Sequence, residues 1–255
     1  MRFLVSEDDE RAYFAAVNLE QRQCAAKYGV ETTLPISRQP SLMQMMTQRR
    51  YGTINIDEVA RYGYELPPDP YVEAGDDKTG PNAWNPSSRE IEVLNASDSD
   101  GESIGVDPVT NRDLPKGGCA AEGYRAIDGR DGSLARNEVA TKYLNDAWSY
   151  VTADSRFRSA ESKWSSCMKK RGYLDLKHRW DAARNDGSKS SSAMREIATN
   201  DLECALETGI LDVAYAVDSA YQRVLIDRHE GELQGVLDAH REVMSRVHET
   251  LKETS

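Results

Sequence analysis

The acidic run from Asn95 to Asp107 (NASDSDGESIGVD) is the arrangement in this sequence best suited to a hard cation. With Gly101 on the turn glycine of a calcium loop, Asp98 and Asp100 take positions 3 and 5 and Asp107 takes position 12. Position 1 is then Ala96, and position 12 is an aspartate where the longer glutamate is usual, so the competing expectation is a flexible acidic turn. Asp128 and Asp131 in DGRDGS are a second acidic candidate. The four histidines, His178, His229, His240 and His248, all fall in the last third. There they read as packed or half-exposed helix residues rather than metal ligands. Tyr62, Tyr64, Tyr71 and Trp84 are candidate walls for a small-molecule or peptide ligand. The sequence has no G-x4-G-K-[ST] phosphate loop, no G-x-G-x-x-G turn and no H-E-x-x-H pair. A carboxylate pair for glycoside hydrolysis needs a cleft of defined width, which spacing alone does not specify. No catalytic residue is therefore assigned, and calcium is the only cofactor with a candidate site.

The cysteines carry the clearest local pattern. Cys24, Cys167 and Cys204 are each followed five residues later by glycine and then by an apolar or aromatic residue: Gly29-Val30, Gly172-Tyr173 and Gly209-Ile210. Glycine just past a helix end adopts the left-handed conformation cheaply, and the apolar residue after it folds back on the last turn. Each of these cysteines is thus expected about one turn before a helix stop. Cys119 differs, following Gly117-Gly118 and opening a short helix through Tyr124. Four cysteines allow three pairings. The expectation is Cys24–Cys119 and Cys167–Cys204, the second joining antiparallel neighbouring helices, with four reduced buried thiols as the alternative.

The elements that must position these residues follow from composition. Residues 1–64 form an N-terminal helical segment, with helices expected over Glu7–Tyr28, Ser41–Tyr51 and Ile56–Tyr62. Residues 65–133 hold seven of the nine prolines and nine of the seventeen glycines, and read as an irregular loop segment packed on the same domain. Residues 134–255 contain no proline and form a helical bundle, with helices expected over Leu134–Val151, Asp154–Arg171, Ser190–Thr208 and a long Ile210–Lys252. In that last helix Ile226, His229, Leu233, Val236, His240, Val243 and Val247 recur at alternating spacings of three and four, a heptad seam. The seam serves either an antiparallel neighbour within the chain or a coiled coil between two copies. The fold class expected is all-α.

Charge and hydropathy limit the function classes. The 255 residues carry a net charge of -11 and 29% charged side chains, which argues against nucleic acid or anionic membranes as partners through bulk electrostatics. The mean hydropathy is -0.68, and no apolar run approaches the ~18–20 residues of a membrane span. Residues 65–133 contribute 15 acidic against 6 basic side chains, a net of -9, so the helical remainder is almost neutral. The opening MRFLVSEDDE lacks the long apolar stretch and the cleavage site of a secretory signal. That leaves a cytoplasmic protein or a mature chain with an added Met1, and the disulfides favour the second.

The stretches WSSCMKKRGY (164–173), EIATNDLECALETGI (196–210) and AYAVDSAYQRVLIDRHEGEL (214–233) resemble a family of uncharacterised secreted or lipid-anchored actinobacterial proteins. That family shows a W-x2-C-M-x3-G-Y box, a later A-x2-D-x2-C-x4-G box and an A-Y-Q-R-x-L-I helix. RRYG (49–52), RYGY (61–64) and GGCAAEGYR (117–125) are similar to its N-terminal half. The resemblance implies an extracytoplasmic, disulfide-bonded helical protein and brings no catalytic residue with it. No lipobox precedes the sequence, and residues 70–115 are longer and more acidic than the family pattern.

The function these features favour is a non-catalytic interaction protein of the cell envelope, accessory to an envelope assembly or exporter. It would present Ile226, Leu233, Val236, His240, Val243 and Val247 to a protein partner or to a second copy of itself. A binding protein with a pocket between helices and the middle segment is the alternative, and a carboxylate hydrolase without a recognisable motif the third.

Overall fold

The structure, a computed structural model, describes residues 5–32, 34, 49–67, 85–129, 138–184 and 189–252. Among them are ten helices, no strand and two isolated bridges, Ser97 with Ser103 and Val106 with Asp113. In chain order the helices are α1 (Glu7–Ala26), α2 (Ile56–Tyr62), α3 (Ser88–Asn95), α4 (Gly118–Asp128), α5 (Glu138–Ala153), α6 (Ser155–Lys170), α7 (Arg179–Ala182), α8 (Ser191–Thr208), α9 (Ile210–Arg228) and α10 (Glu230–Lys252). The fold is all-α and carries two disulfides, Cys24–Cys119 and Cys167–Cys204, the expected pairing.

Local chemistry sets the helix ends. The side chains of Ser6, Asn55, Ser87, Asp154 and Ser190 each accept from a backbone N–H in the first turn of α1, α2, α3, α6 and α8. The three glycines of the cysteine pattern take φ of 71°, 94° and 67° at Gly29, Gly172 and Gly209. The Val30 N–H donates back to the Ala25 carbonyl and the Tyr173 N–H to that of Met168, closing the helix ends as the spacing predicts.

The chain forms two compact units whose boundaries cross the compositional ones. The first gathers Met1–Ser41, Asp69–Asn137 and Gln234–Ser255. In it α1, α3 and α4 pack on one another, with Val93, Leu94 and Leu114 around the Cys24–Cys119 bridge. A Cβ on Gly118 would stand 2.1 Å from the Leu94 carbonyl oxygen, so only glycine lets α4 start this close to the end of α3. The proline- and glycine-rich middle is therefore partly folded. The Tyr28 hydroxyl donates to the Asp113 carbonyl at 2.6 Å and Arg112 to the Lys27 carbonyl at 2.6 Å, fastening the loop after α3 to the end of α1.

The second unit gathers Leu42–Pro68 and Glu138–Leu233. Here α5, α6, α8 and α9 pack around Trp164, Met168, Ile210 and Val217, and α2 lies on α8 through Val59, Ala198 and Leu202.

Two expectations change. The single helix Ile210–Lys252 is two helices, because His229 leaves helical geometry at φ -121°, ψ 27°. Its ring is stacked on Tyr143 at 4.3 Å and hydrogen-bonded to that hydroxyl at 3.0 Å, which holds the residue between α9 and α10. The apolar stripe offered to a partner is also largely internal. Leu233, Val243 and Val247 are buried, and the last two pack with Tyr13, Val17 and Ile127. Ile226, Val236 and His240 are half-buried, so no continuous apolar face is left on α10. The helix expected at Ser41–Tyr51 lies outside the described residues up to 48, and 49–51 form a turn.

Candidate functional site

The strongest concentration of buried polar chemistry lies in the second unit and is built on two arginine–aspartate pairs. Arg179, at the start of α7, is 7% exposed and donates through Nε to Asp201 Oδ1 at 2.7 Å. Its other two nitrogens donate to the backbone carbonyls of Tyr51 and Thr53. Asp201, on α8, is 1% exposed and also accepts from Trp164 Nε1 at 2.9 Å and the Tyr64 hydroxyl at 3.2 Å. Burial pushes this carboxyl up, and Arg179, Trp164 and Tyr64 all oppose it.

The second pair is Arg50 with Asp218 of α9, joined at 2.6 and 3.0 Å. Asp218 also accepts from the Tyr51 hydroxyl at 2.7 Å and from Gln222 at 2.9 Å. The segment Arg49-Arg50-Tyr51-Gly52-Thr53 is therefore strung between the two pairs. Tyr51 gives its carbonyl to one and its hydroxyl to the other. Gly52 has φ 88°, and a Cβ there would meet Arg179 Nη1 at 2.8 Å, so the glycine admits the guanidinium. Burial first, then the neighbouring carboxylates, push the Tyr51 and Tyr64 hydroxyls above the ordinary phenol value. Both remain protonated donors at neutral pH.

Above this network is a pocket of about 440 Å³, within the range of small-molecule sites. Its walls are aromatic and aliphatic: Tyr51, Tyr64, Trp148, Phe157, Trp180, Ile210, Leu211 and Ala214. Trp148 and Phe157 meet edge to face at 5.9 Å, and the Arg50 guanidinium lies 5.2 Å from the Trp148 ring centre. Trp180 is 40% exposed and Ala183 is exposed, which places both at the mouth. Arg49, Arg50, Thr53, Arg179 and Asp201 supply the polar lining.

Arg49 differs from the other two arginines. It donates to the carbonyls of Tyr64 at 2.5 Å and Glu65 at 2.9 Å, and among the described residues no carboxylate lies within ion-pair distance of it. Burial pulls its guanidinium below the usual value, and the charge of Glu58 works against that shift.

No protein-family model, no curated protein and no solved structure matches the chain.

Of the residues singled out in the sequence, Tyr64 is in this pocket and Tyr62 is not among its lining residues, while Tyr71 and Trp84 lie outside the described residues. Among the described residues there is no group of three or more carboxylate, histidine or cysteine side chains able to hold a metal. Asp98 caps its own turn, accepting from the N–H groups of Asp100 and Glu102. Asp107 is buried and ion-paired with Arg89, with Thr110 donating through both its N–H and its hydroxyl. Asp100 contributes its N–H, not its carboxylate, to that turn. Asp131 lies outside the described residues. The histidines are dispersed, His178 beside Glu161, His229 beside Tyr143 and His240 beside Asp9.

Arg89 beside Asp107 holds that carboxyl well below the usual carboxylate range, and the Thr110 bonds add to the effect. A depressed folded value means stability that is present above the unfolded value and is lost as pH falls through the folded one. Asp107→Asn is therefore expected to be less stable than the parent at pH 7. The difference should shrink as pH drops below the ordinary aspartate value of about 3.9. Denaturant titrations of both proteins across pH 7 to 2 measure it, and a gap independent of pH would refute the assignment.

Proposed function

We propose that this chain is an extracytoplasmic binding protein that holds a small molecule in the pocket over the two arginine–aspartate pairs. The observation that carries this reading is the combination of an aromatic pocket with walls fixed from beneath. Tyr51, Tyr64, Arg50 and Arg179 each have hydrogen-bond partners inside the unit, so the cavity is formed before a ligand arrives, which lowers the ordering cost of binding. Binding rather than turnover follows from the states of the polar groups. Both carboxylates are engaged by arginines and both tyrosines stay protonated, leaving neither a ready base nor an activated nucleophile. The two disulfides support an oxidising compartment, and no helix among the described residues is long and apolar enough to cross a membrane. The resemblance to secreted and lipid-anchored actinobacterial proteins points to the same compartment.

The experiment is a fluorescence titration with a panel of one- and two-ring aromatic probes. Trp148 and Trp180 in the pocket and Trp164 beneath it serve as reporters. A saturable change is expected in the parent and should be absent in Ala183→Trp. That substitution places an indole at the mouth from an exposed position, where the effect on folding is within about 0.5 kcal/mol. Saturation that survives in the filled variant, or no saturable probe at all, would count against a pocket in use.

A further inference from the structure

The charges around the pocket do not balance, and the imbalance sits on one residue. Arg179 is matched by Asp201 and Arg50 by Asp218. Arg49 lines the same cavity half-buried and is held only by two neutral carbonyls. The carboxylate whose charge bears on it, Glu58, is not within ion-pair distance. A desolvated guanidinium is costly without an anion, and a guanidinium already positioned by carbonyls needs no reorganisation to receive one. The rest of the lining is rings and aliphatic side chains, which favours a flat or branched apolar body.

Resting on the pocket-binding reading above, we infer that the ligand is an amphiphilic monoanion. It would have an apolar body of one or two rings' bulk, packed among Trp148, Phe157 and Trp180, and a single carboxylate met by Arg49. One charge, not two, follows from the count: among the described lining residues only Arg49 lacks an ion-pair partner, and a dianion would bring a second negative charge with no other unpaired cation to meet it. Arg49 thus fixes the orientation of the ligand, head to the Tyr64–Glu65 side and body on the aromatic wall.

The test compares matched probes at pH 7 in the intact chain: 1-naphthaleneacetate, its uncharged amide, and the dianionic 1-naphthyl phosphate. The acid is expected to bind about tenfold more tightly than the amide, as a charge-assisted hydrogen bond supplies. The phosphate should bind no better than the acid. In Arg49→Gln the acid should fall to the level of the amide while the amide is unchanged; Arg49→Lys should keep a preference for the acid. Equal affinity of acid and amide in the parent would overturn the anion assignment and leave the pocket standing. A preference that survives Arg49→Gln would overturn the role of Arg49. Tighter binding of the phosphate would overturn the single charge. Failure of all three probes in the parent would instead remove the pocket reading itself. The parent comparison needs no variant to fold, and unchanged amide affinity shows that Arg49→Gln has kept the pocket.

Discussion

Arg179→Ala is expected to destabilise the second unit by about 3–5 kcal/mol, the usual range for removing one partner of a buried ion pair. Asp201, 1% exposed in the parent, would lose the cation paired with it, while the carbonyls of Tyr51 and Thr53 would lose their donors. The Trp164 and Tyr64 hydrogen bonds would remain, but neutral donors do not offset a desolvated carboxylate. Urea unfolding followed by tryptophan fluorescence measures the loss, and a deficit below about 1 kcal/mol would mean that the pair is not what holds α7 to α8. Two companions sharpen the result. Arg179→Met with Asp201→Leu removes both charges and should recover much of the loss, since apolar replacements of buried pairs are often neutral or better. In Arg179→Ala alone the uncompensated Asp201 should take up a proton in the folded state. A carboxyl raised on folding binds more protons than the unfolded chain does, so stability should rise as pH falls and the deficit at pH 5 should be smaller than at pH 7.

How far this site could be read from the sequence differs residue by residue. The helix ends were legible because caps and glycines act within a few residues: Ser6, Asp154, Ser190 and Gly209 do locally what their types suggest. The places of three cysteines near helix ends were legible from the glycine that follows each, while the pairing itself needed the packing of the helices. Asp201 was within reach but missed. It lies three residues before Cys204, as Trp164 lies three before Cys167, so the same disulfide that joins α6 and α8 brings indole and carboxylate together one turn away. Arg49 and Arg50 were noticed only as part of RRYG, because nothing local shows that residue 50 meets an aspartate 168 positions away. Asp107 has a partner that local spacing does not reveal. Spacing placed it in a cation loop, and its actual partner, Arg89, comes from the preceding helix. The seam on α10 was real as periodicity, but periodicity does not say which surface covers it, and here much of it is the chain's own core. The break at His229 came from a tertiary partner, Tyr143, that overrode an otherwise helical pattern.

Replacing Cys167 and Cys204 together by serine is expected to lower the stability of the second unit by about 4 kcal/mol. A separation of 37 residues gives that loop-closure value in the chain-entropy account. Other ties between the ends of α6 and α8 are too slight to compensate. Arg171 reaches Glu203 and Glu207, but those carboxylates are 48% and 66% exposed, and such surface pairs contribute at most about 1 kcal/mol. The consequence reaches the pocket because Trp164 and Cys167, like Asp201 and Cys204, are three residues apart, about 4.5 Å along each helix axis. Loosening α6 from α8 at the cystine loosens the Trp164–Asp201 bond one turn away, and with it the carboxylate on which Arg179 and Tyr64 converge. The double serine variant should therefore lose affinity for the aromatic probes under conditions where circular dichroism still reports full helicity. Parent-like affinity in a destabilised variant would separate the two roles, leaving the bridge a tie for the unit and not for its pocket. The Cys24→Ser/Cys119→Ser variant gives the scale for comparison. Its bridge spans 95 residues in the first unit, and the same account gives a slightly larger loss, about 4.7 kcal/mol.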